Sequence, residues 1–89
     1  MLRLTVISQT HEEAVLKVDG WVSGANVALL EKEGTRLLQA ADRLVLDLSA
    51  VELIDVKGLV LMKGWWGKRL VVRGASPFVS KLLEAEGLV

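Results

Sequence analysis

The chain has no cysteine, one histidine, one proline and 4% aromatic residues among its 89 positions. Without cysteine there is no disulfide framework, no thiolate metal site and no cysteine nucleophile. His11 has neither a second histidine nor a cysteine to share a metal with. It falls in a polar stretch and reads as a solvated loop residue. A surplus charge of one sign is also missing, because eleven basic residues balance eleven acidic ones. No global field then draws the protein onto nucleic acid or anionic lipid. No apolar run approaches the roughly 20 residues of a membrane span, and Arg3 begins no signal-like hydrophobic region. Glycine-rich phosphate loops of the Walker or dinucleotide type are absent too.

What is there is apolar: 52% of residues are hydrophobic, which excludes disorder. A chain this short buries roughly 60–65% of its unfolded surface, enough for one core. The expectation is a single soluble, cytoplasmic domain over residues 1–89.

Leu2, Leu4 and Val6 alternate with Arg3, Thr5 and Ser8, and Ala14, Leu16 and Val18 alternate with Glu13, Lys17 and Asp19. Period two on both sides of the polar Gln9–Glu12 segment predicts an opening β-hairpin that closes at Gly20. Val27, Leu30, Leu37, Leu38 and Ala41 recur at helical spacing and predict a helix from Ser23 or Asn26 to about Ala41. Gly34 within it costs roughly 1 kcal/mol against alanine, which points to close packing on a sheet. Leu44 to Leu48 reads as a covered central strand. A short apolar pair, Leu53-Ile54, leads to Asp55, which caps a helix running to about Trp65, with Gly67 as its stop. Leu70-Val71-Val72 makes another strand. Ser76-Pro77 starts a last helix that ends at Gly87. The fold class is therefore α/β: a mixed sheet of about four to five strands, with about three helices packed on it.

The candidates for chemistry are few. Asp47 and Asp55 lie near the carboxyl ends of apolar strands, where sites form in α/β sheets. Each also has an ordinary task, Asp47 bonding backbone N–H groups in a turn and Asp55 capping a helix. The stretch Lys63-Gly64-Trp65-Trp66-Gly67-Lys68-Arg69 joins three cations to two π-faces and could stack on single-stranded nucleic acid. It is similar to a KH-domain glycine loop, but tryptophans stand where that loop carries its cation, and the neutral total charge opposes the reading. A helix end covering the sheet edge, or a tryptophan anchor for another protein, accounts for it better. No catalysis, metal or cofactor is expected, and the chain is read as a non-enzyme.

The run Leu44-Val45-Leu46-Asp47-Leu48-Ser49-Ala50-Val51-Glu52-Leu53-Ile54-Asp55-Val56-Lys57-Gly58-Leu59 resembles the signature of STAS domains. That family includes bacterial anti-sigma factor antagonists and the cytoplasmic ends of sulfate transporters. The resemblance extends to the strand ending at Gly20 and to the last helix, Ser76-Pro77 through Leu83 and Gly87-Leu88. It implies a non-catalytic module that binds another protein, either an anti-sigma factor of the kinase-like type or, as a small accessory subunit of a lipid-trafficking ABC transporter, its ATPase. A homodimer stays open. A small-anion sensor built on the Asp55 helix start and Lys57 is the alternative from another class.

In the family's regulatory members a serine or threonine phosphoacceptor stands two residues after the aspartate. Carried onto this chain, that position is Lys57, which has no hydroxyl, and Val56 before it has none either. A phosphate there would meet free N–H groups and the positive helix end. A lysine is mildly disfavoured by the same dipole, by a few tenths up to about 1 kcal/mol. The resemblance thus implies a partner-binding set of Ser49, Asp55, Val56, Lys57 and Gly58, with Trp65 and Trp66 added from the residues themselves, and no phospho-switch at residue 57. The eleven residues between Gly58 and Leu70 are fewer than the family usually has, which predicts a helix of two to three turns.

Overall fold

The computed structural model describes residues 1–65 and 69–88. The period-two alternation builds an antiparallel hairpin of β1 (Leu2–Gln9) and β2 (Glu13–Val22). Thr10 turns it: its N–H donates to the Glu13 carbonyl at 2.8 Å, and its Oγ1 accepts the Glu13 N–H at 3.0 Å. There follow α1 (Asn26–Leu38), β3 (Arg43–Ile54), α2 (Val56–Trp65), β4 (Leu70–Arg73) and α3 (Pro77–Ala85). The strands lie in chain order in one four-stranded sheet, with β2, β3 and β4 parallel.

Four strands are found rather than five because Leu44–Leu48 and Leu53-Ile54 belong to one strand. Two irregularities in β3 hid this. Lys17 pairs with Asp47 and Asp19 with Ala50; Gly20 pairs with Val51 and Trp21 with Leu53. β3 therefore carries one extra residue at each place, as a bulge does. Its residues in the main core run Leu44, Leu46, Leu48 and then Val51, Ile54, so the period changes from two to three. β2 likewise continues past Gly20 to Val22.

Both parallel connections step the same way across the sheet, and right-handed crossovers put α1 and α2 on one face. α3 joins them there. Leu30 and Leu37 of α1, Met62 of α2, and Val79 and Leu83 of α3 bury against Leu16, Leu44, Leu46 and Leu48 of the sheet. Each fully buried leucine contributes about 1.5–3 kcal/mol. Val15 and Val45 point to the opposite face and lie outside this cluster, though both are buried. The domain has two layers.

Gly34 is needed at the place where α1 and α2 cross. A Cβ there would lie 2.8 Å from Trp65 Cζ2 and 3.2 Å from Leu44 Cδ2, so the close packing involves a helix as much as the sheet. α1 ends at Leu38, short of Ala41, and Arg69 reaches across to its carboxyl end. The guanidinium donates to the carbonyls of Leu38, Ala41 and Asp42. α3 begins as its sequence dictates: Ser76 Oγ accepts the Val79 N–H at 3.2 Å, with Pro77 in the first turn.

Candidate protein-binding site

The three parallel strands deliver the starts of all three helices to one edge of the sheet. Asp55 organises the middle of that edge. Its N–H donates to the Val22 carbonyl at 3.0 Å, which fixes its backbone to β2. Its Oδ1 accepts the Gly58 N–H at 2.9 Å and so caps α2. Its Oδ2 accepts the Gly24 N–H at 2.9 Å and ties down the β2–α1 loop. The Gly24 bond, then the Gly58 bond, favour the ionised carboxylate and hold its pKa below the ordinary value, helped by the nearby charge of Lys57.

Gly58 lets α2 start this close to the sheet. An added Cβ would sit 2.8 Å from Val22 Cγ1 and 2.9 Å from both Ile54 Cγ2 and the Val22 carbonyl oxygen. Between these two fixed residues, Val56 is 74% exposed, and Lys57 is exposed as well. α2 has no acidic residue in its first turn, so Lys57 is the charge presented there.

Ser49 does not join this group. It lies six positions up β3, where a strand advances roughly 3.3 Å per residue. Its N–H donates to Asp47 Oδ1 at 3.0 Å, which satisfies a group at the first β3 irregularity. That bond is the main reason the Asp47 carboxyl is held below its ordinary value. Asp47 thus bonds backbone within a strand, not in a turn. A Cβ at Gly74, after β4, would lie 3.3 Å from Ser49 Cβ, so Ser49 sits beside the approach to α3.

Trp65 is not an exposed anchor. It is half-buried and packs its ring on Gly34, as the tight helix crossing requires. Trp66, Gly67 and Lys68 lie outside the described residues. In the rest of that stretch, Lys63 Nζ lies 3.4 Å from Glu86, and Arg69 is bonded to the carbonyl of Leu38 in α1 and to those of Ala41 and Asp42 beyond it, so these groups do not form a free cationic platform. His11 is exposed in the hairpin turn, and its carbonyl accepts the Asp42 N–H.

Sequence reasoning missed four features of this edge. Gly24 adopts φ +56°, a left-handed turn that glycine favours, and presents its N–H to Asp55. Trp21 and Leu53 are register partners at the strand ends, 50% and 39% exposed, and lie on the sheet face opposite to α2, since their neighbours Val22 and Ile54 meet Gly58. Val60, one turn beyond Val56, is 62% exposed on the same α2 face. A signal for the last was present. The α2 sequence Val56, Leu59, Val60, Leu61, Met62 holds more apolar residues than one helix face can bury.

One aspartate thus fixes a loop and a helix start, and α2 is pressed onto the sheet. The Mlab, STAS domain family model fits residues 5–89. The chain belongs to this STAS family. Its fold is shared by the anti-sigma factor antagonist SpoIIAA in its unphosphorylated form, with a TM-score of 0.78 at 22% identity, covering 99% of this chain and 82% of that one. The Bacillus cell fate determinant SpoIIAA in its phosphorylated form gives 0.70 at 18% identity, covering 99% and 85%. The antisigma-factor antagonist STAS domain from Rhodobacter sphaeroides gives 0.62 at 20% identity, covering 85% and 92%. Comparison with curated protein sequences gives no match. Among the described residues no helix is long and apolar enough to cross a membrane.

Proposed function

We propose that this STAS domain is a non-catalytic regulatory module that binds another protein through the start of α2. The contact set is Asp55, Val56, Lys57 and Gly58, with Val60 as its apolar neighbour one turn on. Asp55 and Gly58 hold the surface in place; Val56, Lys57 and Val60 make the contact. The observation that carries this reading is the exposure of two valines and a lysine on a helix start that is otherwise tightly fixed. Exposed apolar side chains on a rigid frame bind at low ordering cost.

Lys57 stands where the resemblance to phosphorylated antagonists would put the phosphoacceptor, so no phosphoryl group switches the contact at residue 57. A permanent cation there suits an acidic partner surface. It equally suits a constitutive subunit contact, and on that ground a second reading stands: an accessory subunit resting on the ATPase of a lipid-trafficking transporter.

The test is affinity capture from the host's lysate with wild type and with Lys57→Glu, the bound proteins being identified by mass spectrometry. A stoichiometric partner retained by wild type and lost on charge reversal is expected. An anti-sigma factor or kinase-like protein would mean partner switching, and a transporter ATPase the second reading. Equal retention by both forms, or capture of nothing, would overturn the assignment.

A further inference from the structure

β1 is an edge strand of unusual regularity on its free side. The Trp21 N–H donates to the Met1 carbonyl at 2.9 Å. From there the register pairs Leu2 with Gly20, Arg3 with Asp19, Leu4 with Val18, Thr5 with Lys17 and Val6 with Leu16. Bonded and non-bonded pairs alternate along an antiparallel ladder. Arg3 and Thr5 therefore turn their backbone groups toward β2, and Leu2, Leu4 and Val6 turn theirs outward. Long edge strands are ordinarily blunted by proline, charge or bulges. Here the bulge comes only after Val6, and residues 2–6 contain no proline and one charge, Arg3.

On the core side of this edge α1 leaves β1 partly uncovered. A groove of about 390 Å³ lies between them, lined by Leu2, Leu4 and Leu29 with Lys32, Glu33 and Arg36. Leu29 is 55% exposed and Val6 40%. A strand added to β1 would direct every second side chain to that side.

We infer that this edge pairs with β1 of a second copy, antiparallel, about a two-fold axis at Leu4. In this register Leu4 opposes its own copy and Leu2 opposes Val6 of the second chain. The outward backbone groups of all three residues then bond one another, and the groove side of the joint is apolar throughout. On the other face Arg3 opposes Thr5 of the second chain, so like charges stay apart. A register shifted by two residues sets Arg3 against Arg3 in one direction, and runs into the bulge at Ile7 in the other. On the α1 wall Arg36 pairs with Glu33, which leaves the single net positive charge of Lys32 on each copy, a repulsion that salt screens. The joint is small beside the roughly 1,200–2,000 Å² of stable interfaces, so the dimer forms and dissociates with concentration. It uses none of the residues assigned to the α2 contact, and Lys57→Glu leaves it unchanged.

Light scattering from micromolar to millimolar protein tests this on wild type and on Val6→Lys, a change at an exposed position that leaves the fold intact. The wild-type mass is expected to rise from 9.7 kDa toward twice that value, and Val6→Lys to stay at 9.7 kDa. In this cysteine-free chain, Leu4→Cys is expected to form an intermolecular disulfide on mild oxidation, and Lys81→Cys on the exposed side of α3 is not. A wild-type mass of 9.7 kDa throughout overturns the proposal and leaves the edge to a strand of a different protein. A Val6→Lys variant that dimerises as well as wild type overturns it too, and puts the interface elsewhere.

Discussion

Asp55 and Gly24, 31 residues apart, are joined by a 2.9 Å bond from the glycine N–H to Oδ2, while Oδ1 takes the Gly58 N–H. One side chain thus holds a loop and a helix start in fixed relation. Without it the β2–α1 loop loses its anchor, since α1 has no side-chain cap of its own.

This arrangement makes stability pH-dependent in a defined window. Backbone N–H groups hold Asp55 and Asp47 below the ordinary carboxylate value. A carboxyl depressed in the folded state stabilises it fully above the unfolded value of about 3.9. That contribution is lost as pH falls from there through the folded values. The urea midpoint is therefore expected to hold steady from about pH 7 to about pH 5 on account of these groups and to fall below about pH 4. Asp55→Asn should lower the midpoint at neutral pH and flatten the acid limb. An acid limb as steep in Asp55→Asn as in wild type would rule out this origin.

Gly58→Ala separates helix propensity from packing. Propensity alone favours alanine by roughly 1 kcal/mol. The added Cβ, however, meets the Val22 carbonyl oxygen at 2.9 Å, a backbone atom that cannot step aside as a side chain does. Overpacking of this kind costs typically 1–3 kcal/mol. Urea denaturation is expected to show net destabilisation, and a stabilised variant would mean the α2 start is looser than its contacts indicate.

How far the chain could be read in advance depended on period and on range. Leu2-Leu4-Val6, Leu44-Leu46-Leu48 and Ser76-Pro77 carry their structure in two to five residues, and the strands and the last helix followed from them. β3 was split in two because Ser49 and Glu52 break its alternation, and that break makes sense only against β2. Asp55 was legible as a cap, since Gly58 lies three residues on. Its bond to Gly24 was not, because nothing local marks a partner 31 residues away. The place of Trp65 is hidden for the same reason: the gap it fills is Gly34, on another helix.

Arg69 illustrates the same long range in energetic form. Its guanidinium donates to three carbonyls, those of Leu38, Ala41 and Asp42, at the end of α1. Bonds from a charged donor are worth about 1.5–3 kcal/mol where burial excludes water, and less at this partly exposed site. Arg69→Met is expected to cost about 1–3 kcal/mol in urea denaturation and to raise amide exchange in the last turn of α1. Arg69→Lys should recover little of this, since a compact ammonium does not reproduce the planar fork. Full recovery by lysine would show that charge near the helix end, not the set of bonds, is what counts.

The α2 face should respond in the opposite manner, losing binding while keeping stability. Val60 is 62% exposed and Val56 74%, so neither supports the core. Val60→Asp is expected to change unfolding free energy by no more than about 0.5 kcal/mol, as surface substitutions do. It should nevertheless weaken the partner captured by wild type at least about tenfold, because it puts a carboxylate into an apolar contact and beside whatever acidic group Lys57 meets. Trp65→Ala is the converse control. Removing a ring packed on Gly34 should cost about 3 kcal/mol or more, yet leave the affinity of the folded protein close to wild type. Calorimetric titration of the purified partner against both variants, each with its thermal unfolding curve, separates the two effects. If Trp65→Ala lost affinity while Val60→Asp kept it, the contact would lie at the far end of α2 and not at its start.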